Sequence, residues 1–114
     1  MSDRLQTFRD YRERMNKRLL TDATLTMKRF FNLDTRCYED GALSARTKEM
    51  LGLSASLVLR CDDCINYHIA KCFEEGVTRE QFYEAFNVAL VVGGSIVIPH
   101  LRRAAAKMEE LFGG

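Results

Sequence analysis

The sequence predicts an all-α protein, a compact bundle of five or six helices. Three observations carry that expectation. Only one proline and seven glycines occur in 114 residues, too little turn chemistry for a sandwich of many short strands. Apolar residues recur at three- and four-residue steps along most of the chain, which is a helical period. Cap residues punctuate these runs where helices would begin and end. The length suits a single domain over residues 1–114 with one core. Apolar content of 46% with 29% charged residues argues against disorder.

The elements follow in order. Leu5, Phe8, Tyr11, Met15 and Leu19 form one stripe of an amphipathic first helix, with basic residues turned outward. Asp22 is a candidate cap for a second segment carrying Ala23, Met27, Phe30 and Phe31, unless the two are one long bent helix. Phe30 and Phe31 are adjacent and cannot both face one core, so one of them is expected to meet another subunit. Residues 32–43 read as a loop with turn chemistry at Asp34-Thr35 and Glu39-Asp40-Gly41, leaving Cys37 as a half-buried thiol without a role. Ser44 caps a helix to about Leu59, whose apolar positions are Met50, Leu51, Leu57 and Val58. The next helix starts near Cys61 and runs to Glu75, stopped by Gly76 as a left-handed residue. Thr78 and Gln81 form a capping box for a helix with the stripe Phe82, Ala85, Phe86, Ala89, Leu90 and Gly93. After Gly94-Ser95 a last helix carries Val97, Leu101, Ala104, Ala105, Met108, Leu111 and Phe112, with Pro99 in its tolerant first turn. No internal repeat or low-complexity segment is apparent.

Charge excludes some functions. The net charge is +1, so no strong field points to nucleic acid or a membrane surface. Residues 1–36 hold nine Lys/Arg against five Asp/Glu, which reads as a solvated basic helix face, since no base-reading motif accompanies it. The polar start Met1-Ser2-Asp3-Arg4 lacks an apolar stretch behind it, so no secretory leader is expected. The most apolar run, Val88 to Pro99, is broken by Gly93-Gly94 and falls short of the ~20 residues of a membrane span. A cytoplasmic location is expected, where two close cysteines serve catalysis or metal binding more often than structure.

The chemistry concentrates in Arg60-Cys61-Asp62-Asp63-Cys64-Ile65-Asn66-Tyr67-His68. Two cysteines three apart and a histidine four further on share one helix face. At a helix start, backbone N–H groups and the positive end of the dipole favour thiolate over thiol. The spacing lets the sulfurs join with little backbone movement. His68 can take the Cys64 proton directly or through a water. Glu49, twelve residues before Cys61, could orient His68 or receive the proton if its helix packs across from Cys64. Asp62 disfavours a thiolate beside it, an effect that Arg60 is expected to offset in part. A four-ligand zinc site of Cys61, Cys64, His68 and Cys72 is excluded by reach. Eleven residues of continuous helix separate its ends by about 16 Å, against a zinc–sulfur bond of ~2.3 Å. A three-ligand site at Cys61, Cys64 and His68 is less strained but still stretched, and no metal or other cofactor is assigned. Cys72 reads as a buried small side chain. His100 reads as structural or exposed, and Tyr67 and Tyr83 as packing residues. His68 as a packed core histidine and Glu49 as a surface glutamate remain the plain alternatives.

Glu49, then Cys61-x-x-Cys64-x-x-x-His68, then Gly76-Val77-Thr78-Arg79-Glu80-Gln81 before an apolar helix with Gly93-Gly94, resembles the carboxymuconolactone decarboxylase superfamily. Within it, the chain resembles the alkylhydroperoxidase D-like branch over about residues 40–111. The resemblance implies an all-α fold assembling as homo-oligomers, often trimers or hexamers. It implies a thiol-based peroxidase or disulfide reductase acting on a hydroperoxide and recycled by a dithiol donor. Carried over by position, Cys64 would attack peroxide, Cys61 would resolve the sulfenic acid to a disulfide, and His68 and Glu49 would relay protons. One departure is Asp63, where the best-studied members have a second histidine, and its negative charge would weaken the relay. The decarboxylase branch lacks the cysteine pair. Two rivals stay open: a decarboxylase-type acid–base enzyme using His68 and Glu49, and a non-catalytic oligomeric module.

Overall fold

The computed structural model describes residues 3–114, so Met1 and Ser2 of the polar start lie outside the described residues. It is all-helical, with six α-helices: α1 Asp3–Asp22, α2 Leu25–Cys37, α3 Ala45–Leu59, α4 Asp62–Glu74, α5 Arg79–Gly93 and α6 Ile98–Leu111. One 3₁₀ turn, Ser95–Val97, leads into α6. No described helix is long and apolar enough to cross a membrane.

Local chemistry sets the helix bounds. The Ser44 hydroxyl accepts the Thr47 N–H at 3.1 Å and starts α3. Thr78 and Gln81 close a reciprocal capping box on α5, which satisfies two N–H groups that a helix start otherwise leaves unpaired. Gly76 stands at φ +82° after α4, a conformation that a side chain would disfavour.

Two expectations about the N-terminal third are corrected. Thr24, not Asp22, caps α2, its side chain accepting the Met27 N–H. Asp22 is still helical and pairs instead with Arg18 at 3.2 Å. The supposed loop after Phe31 continues as helix to Cys37, and Thr35 Oγ1 donates back to the Phe31 carbonyl at 3.0 Å. Its turn-forming residues are compatible with a helix end, so composition alone misplaced the boundary. Cys37 is therefore on a helix and exposed.

The core lies between α3, α4, α5 and α6, with α3 packed against both α4 and α5. Leu53, Leu57, Ile69, Phe82, Val97 and Met108 have no exposed surface. Burying each such side chain contributes about 1.5–3 kcal/mol. Ser54 Oγ donates to the Ala85 carbonyl at 3.0 Å, a contact that small residues on both helices allow. Leu51, expected inside, is 56% exposed, because Leu53 and Leu57 hold the inward face of α3.

The first two helices behave differently. Leu5 is fully buried and Phe8 packs on the core, while Tyr11 and Leu19 of the same stripe are exposed. α1 therefore docks by its N-terminal half. α2 buries none of its residues; Phe30 and Leu33 are each 66% exposed.

Candidate active site

The site is built by the tight turn between α3 and α4. Arg60 adopts the left-handed conformation, φ 59° and ψ 42°, at the end of α3, at a cost of about 1–2 kcal/mol for a residue other than glycine. Its N–H reaches the Leu57 carbonyl at 3.0 Å, and the Cys61 N–H reaches that of Ser56 at 3.1 Å. The chain thus reverses at once into α4, and Cys61 becomes that helix's N-cap. The Cys64 N–H donates to Cys61 Sγ at 3.3 Å, so an N-cap role usually taken by a hydroxyl or carboxylate falls to sulfur.

Cys61 and Cys64 are joined as a disulfide, with Cα atoms 5.3 Å apart, inside the range such bridges require. Cys61 is half-buried and Cys64 exposed. One turn along α4, His68 is buried, and Glu49 is buried opposite it on α3. His68 Nδ1 lies 2.8 Å from Glu49 Oε1. A carboxylate that deep needs a donor, so Nδ1 carries the proton and Nε2 presents its lone pair.

Tyr38, the residue that ends α2, sets its hydroxyl 3.5 Å from that Nε2. Burial, then the charge of Glu49, raises the Tyr38 phenol above its ordinary value, so it stays a donor at neutral pH. Tyr67 meets the His68 ring edge-on at 5.1 Å between centroids. Gly52 forms the floor: a Cβ there would fall 2.5 Å from His68 Cε1 and 2.7 Å from Nε2. The imidazole fits only because residue 52 has no side chain.

Cys64 and His68 open on one cleft of about 350 Å³ between α1, α2 and α4, whose walls include Phe8, Met15 and Arg12. The Arg12 guanidinium stacks over the Tyr67 ring at 4.1 Å. Arg12, Asn16, Asp34 and Asp63 line the cleft beside the aromatic and apolar side chains, a mixed wall that suits a small organic ligand with a polar end.

A second polar group lies behind the disulfide. His100 Nδ1 is 2.8 Å from Asp62 Oδ1, and an Arg103 terminal nitrogen is 3.2 Å from Oδ2. Burial works to raise the Asp62 carboxyl, but the His100 hydrogen bond and the Arg103 charge outweigh it and hold the carboxyl below its usual range. The expected partner Arg60 makes no ion pair among the described residues; α6 supplies the positive charge instead. Lys107 of α6 donates to Asn66 Oδ1 at 2.8 Å.

Cys72 is fully buried, and burial pushes its thiol up to about 12, which makes it inert. Among the described residues no group of three or more His, Cys, Asp or Glu is arranged to hold a metal ion. The structure brings all four residues singled out from sequence, Glu49, Cys61, Cys64 and His68, to one place. Sequence reasoning missed Tyr38, Gly52 and Arg103. Only Gly52 gave a signal, a glycine inside a helical run three residues after Glu49.

A model described as the carboxymuconolactone decarboxylase family matches residues 24–107. Two crystal structures of a Thermotoga maritima protein are similar to the whole chain. One is 54% identical with a TM-score of 0.92, covering 95% of each chain. The other is 53% identical with a TM-score of 0.90, covering 94% of this chain and 91% of that one, and is described as a member of the same family with a suggested part in the antioxidative response. A Legionella pneumophila member of that family, 24% identical, shares the fold at a TM-score of 0.87 over 96% of this chain and 97% of its own. A Paracoccus denitrificans relative, an uncharacterized protein of the cox locus, is 33% identical over 84 residues, 74% of this chain and 76% of that protein.

Proposed function

Because the chain belongs to the carboxymuconolactone decarboxylase family, we propose that it is an alkylhydroperoxidase D-like member, a thiol-dependent peroxidase or disulfide reductase acting on hydroperoxides. One observation carries the reading: an exposed cysteine, disulfide-bonded to its neighbour, shares a cleft with an imidazole whose far nitrogen is held by a buried carboxylate. The suggested antioxidative part of the Thermotoga maritima protein supports it.

In the reduced protein, His68 Nε2 takes the Cys64 proton, and Glu49 stabilises the imidazolium that results. The Cys64 thiolate attacks one peroxide oxygen. The S–O bond forms, the O–O bond breaks, and the alkoxide leaves as alcohol with the proton from His68. The Tyr38 hydroxyl, beside Nε2, is placed to steady that transfer. Cys61 then attacks the Cys64 sulfenic acid; the S–S bond forms, and water leaves. A dithiol donor reduces the disulfide by two electrons, so hydroperoxide and dithiol become alcohol, water and donor disulfide. No bound cofactor enters the cycle. A reducing compartment such as the cytoplasm fits such a donor.

We also propose that the protein works as a homo-oligomer, a trimer or hexamer. The support is the uncovered apolar surface of α2 and the end of α5, where Leu25, Phe30, Leu33, Val91 and Val92 are each more than 60% exposed.

Replacing Cys64 by Ser should abolish hydroperoxide consumption, whereas Cys61→Ser should trap sulfenic, overoxidised or mixed-disulfide Cys64, detected by mass. Wild-type turnover in both variants would overturn the reading. Activity that survives the double replacement would assign the site to acid–base chemistry by His68 and Glu49 instead.

A further inference from the structure

The relay on the cleft side accounts for Cys64 but leaves the other sulfur unexplained. Asp62 follows Cys61 directly, and an uncompensated carboxylate there would oppose a Cys61 thiolate. The structure does not leave it uncompensated: α6 aims His100 and Arg103 at its two oxygens. At 2.8 Å from a carboxylate oxygen, His100 Nδ1 carries a proton, since two lone pairs would repel there. Arg103 therefore donates to Asp62, and its 3.1 Å approach to His100 Nδ1 is proximity alone.

We infer that His100 and Arg103 are positioning residues that cancel the Asp62 charge and so make Cys61 the leaving thiolate when the disulfide is reduced. Exposure sets the direction of that step. Cys64 is exposed and Cys61 half-buried, so a donor thiolate reaches Cys64 more readily. Attack there forms a donor–Cys64 disulfide, breaks the Cys61–Cys64 bond, and leaves the electron pair on Cys61 Sγ. A good leaving thiol has a low pKa. Cys61 has two aids: the Cys64 N–H aimed at its sulfur at 3.3 Å with the helix start behind it, and the cancelled carboxylate beside it.

Other charges face the same spot. Lys107 of α6 feels the Asp62 charge as well and adds to the compensation. Asp63 on α4 opposes it, and Arg60 at the end of α3 stands one residue before Cys61. Arg103 is the fixed cation of the set. One helix thus tunes the sulfur that the donor releases, while α3 and α2 tune the sulfur that meets peroxide. The consequence for turnover rests on the peroxidase reading; the consequence for the Cys61 thiol does not.

The test isolates Cys61 in a Cys64→Ser background and follows thiolate absorbance near 240 nm against pH. Arg103→Gln should raise the Cys61 pKa by about half to one unit, the effect of losing one exposed and solvent-screened charge. Arg103→Lys should restore it, and Asp62→Asn should itself lower the Cys61 pKa by removing the charge that opposes the thiolate. In the protein with both cysteines, Arg103→Gln should slow reduction of the disulfide by dithiothreitol about two- to threefold. Should the Cys64→Ser background fold poorly, alkylation of Cys61 in reduced intact protein, read by peptide mass, gives the same pKa. An unchanged Cys61 pKa in Arg103→Gln would overturn the inference. A shifted pKa in a protein that consumes no hydroperoxide would retain it and sink the peroxidase reading alone.

Discussion

Gly52→Ala is the sharpest test of how the relay is built, because two general rules give opposite answers. Gly52 lies inside α3, where glycine costs about 0.5–1 kcal/mol relative to alanine, so propensity alone predicts stabilisation. The packing predicts the reverse. The added methyl would stand 2.5 to 2.9 Å from three atoms of the His68 ring, closer than carbon and nitrogen approach. Overpacking of this kind costs about 1–3 kcal/mol. If the ring swings away, the 2.8 Å bond to the buried Glu49 is lost as well, and a bond to a charged buried partner is worth about 1.5–3 kcal/mol. The steric loss wins, with a net destabilisation of roughly 2–4 kcal/mol. Urea unfolding of the oxidised protein at fixed concentration should show a midpoint lower by about 1–2 M. Peroxide turnover should fall by about 10² or more, the usual value of a positioned base. A Gly52→Ala protein as stable as wild type with full activity would refute the reasoning, since the imidazole could not then rest on this helix.

Other consequences follow from the same geometry. Glu49→Gln keeps the shape and the Nδ1 hydrogen bond but removes the charge that steadies the imidazolium; kcat/KM for hydroperoxide should drop by about 10- to 100-fold with unfolding nearly unchanged, and an unaltered kcat/KM would remove Glu49 from the relay. Cys72 has its folded pKa raised from 9.0 to about 12, so the unfolded chain releases that proton first. The associated stability is complete below pH 9 and declines as pH rises towards 12. Alkaline denaturation curves should flatten in Cys72→Ala, and native protein should alkylate at the exposed Cys37 but not at Cys72. Leu33→Glu on α2 should lower the mass seen by light scattering towards that of one chain while leaving the helical circular dichroism intact; an unchanged mass would free α2 of any part in assembly.

What the sequence revealed and what it hid divide along physical lines. Caps made by one side chain on a nearby N–H are local, so Ser44, Thr78 with Gln81, and the stop at Gly76 were all legible. The cysteine pair and His68 were legible too, because helical spacing alone places them on one face. Glu49 was a weaker inference: its distance from Cys61 in sequence says nothing until α3 folds back on α4 through the Arg60 turn. Leu51 and the outer half of the α1 stripe misled, since periodicity shows that a helix has an apolar face but not what covers it. Tyr38 could not have been found. It arrives at His68 only because α2 runs on to Cys37 and Lys48 ties the following turn down, donating to the carbonyls of Cys37 and Glu39 at 2.9 and 2.7 Å.

That last contact bears on how the site is coupled to assembly. No residue of α2 is fully buried within its own chain, yet it delivers Tyr38 to the imidazole and Asp34 to the wall of the cleft. A helix with no fully buried residue, tied at its end by a lysine, has little to fix its position. If neighbouring copies cover Phe30 and Leu33, they also hold the phenol over His68 Nε2, and dilution to single chains would loosen the relay before it unfolds the bundle. Specific activity should then fall with protein concentration in the range where the oligomer dissociates, and Leu33→Glu should mimic that loss at high concentration. Full specific activity in dissociated chains would show that α3 and α4 alone hold the chemistry, with Tyr38 a bystander.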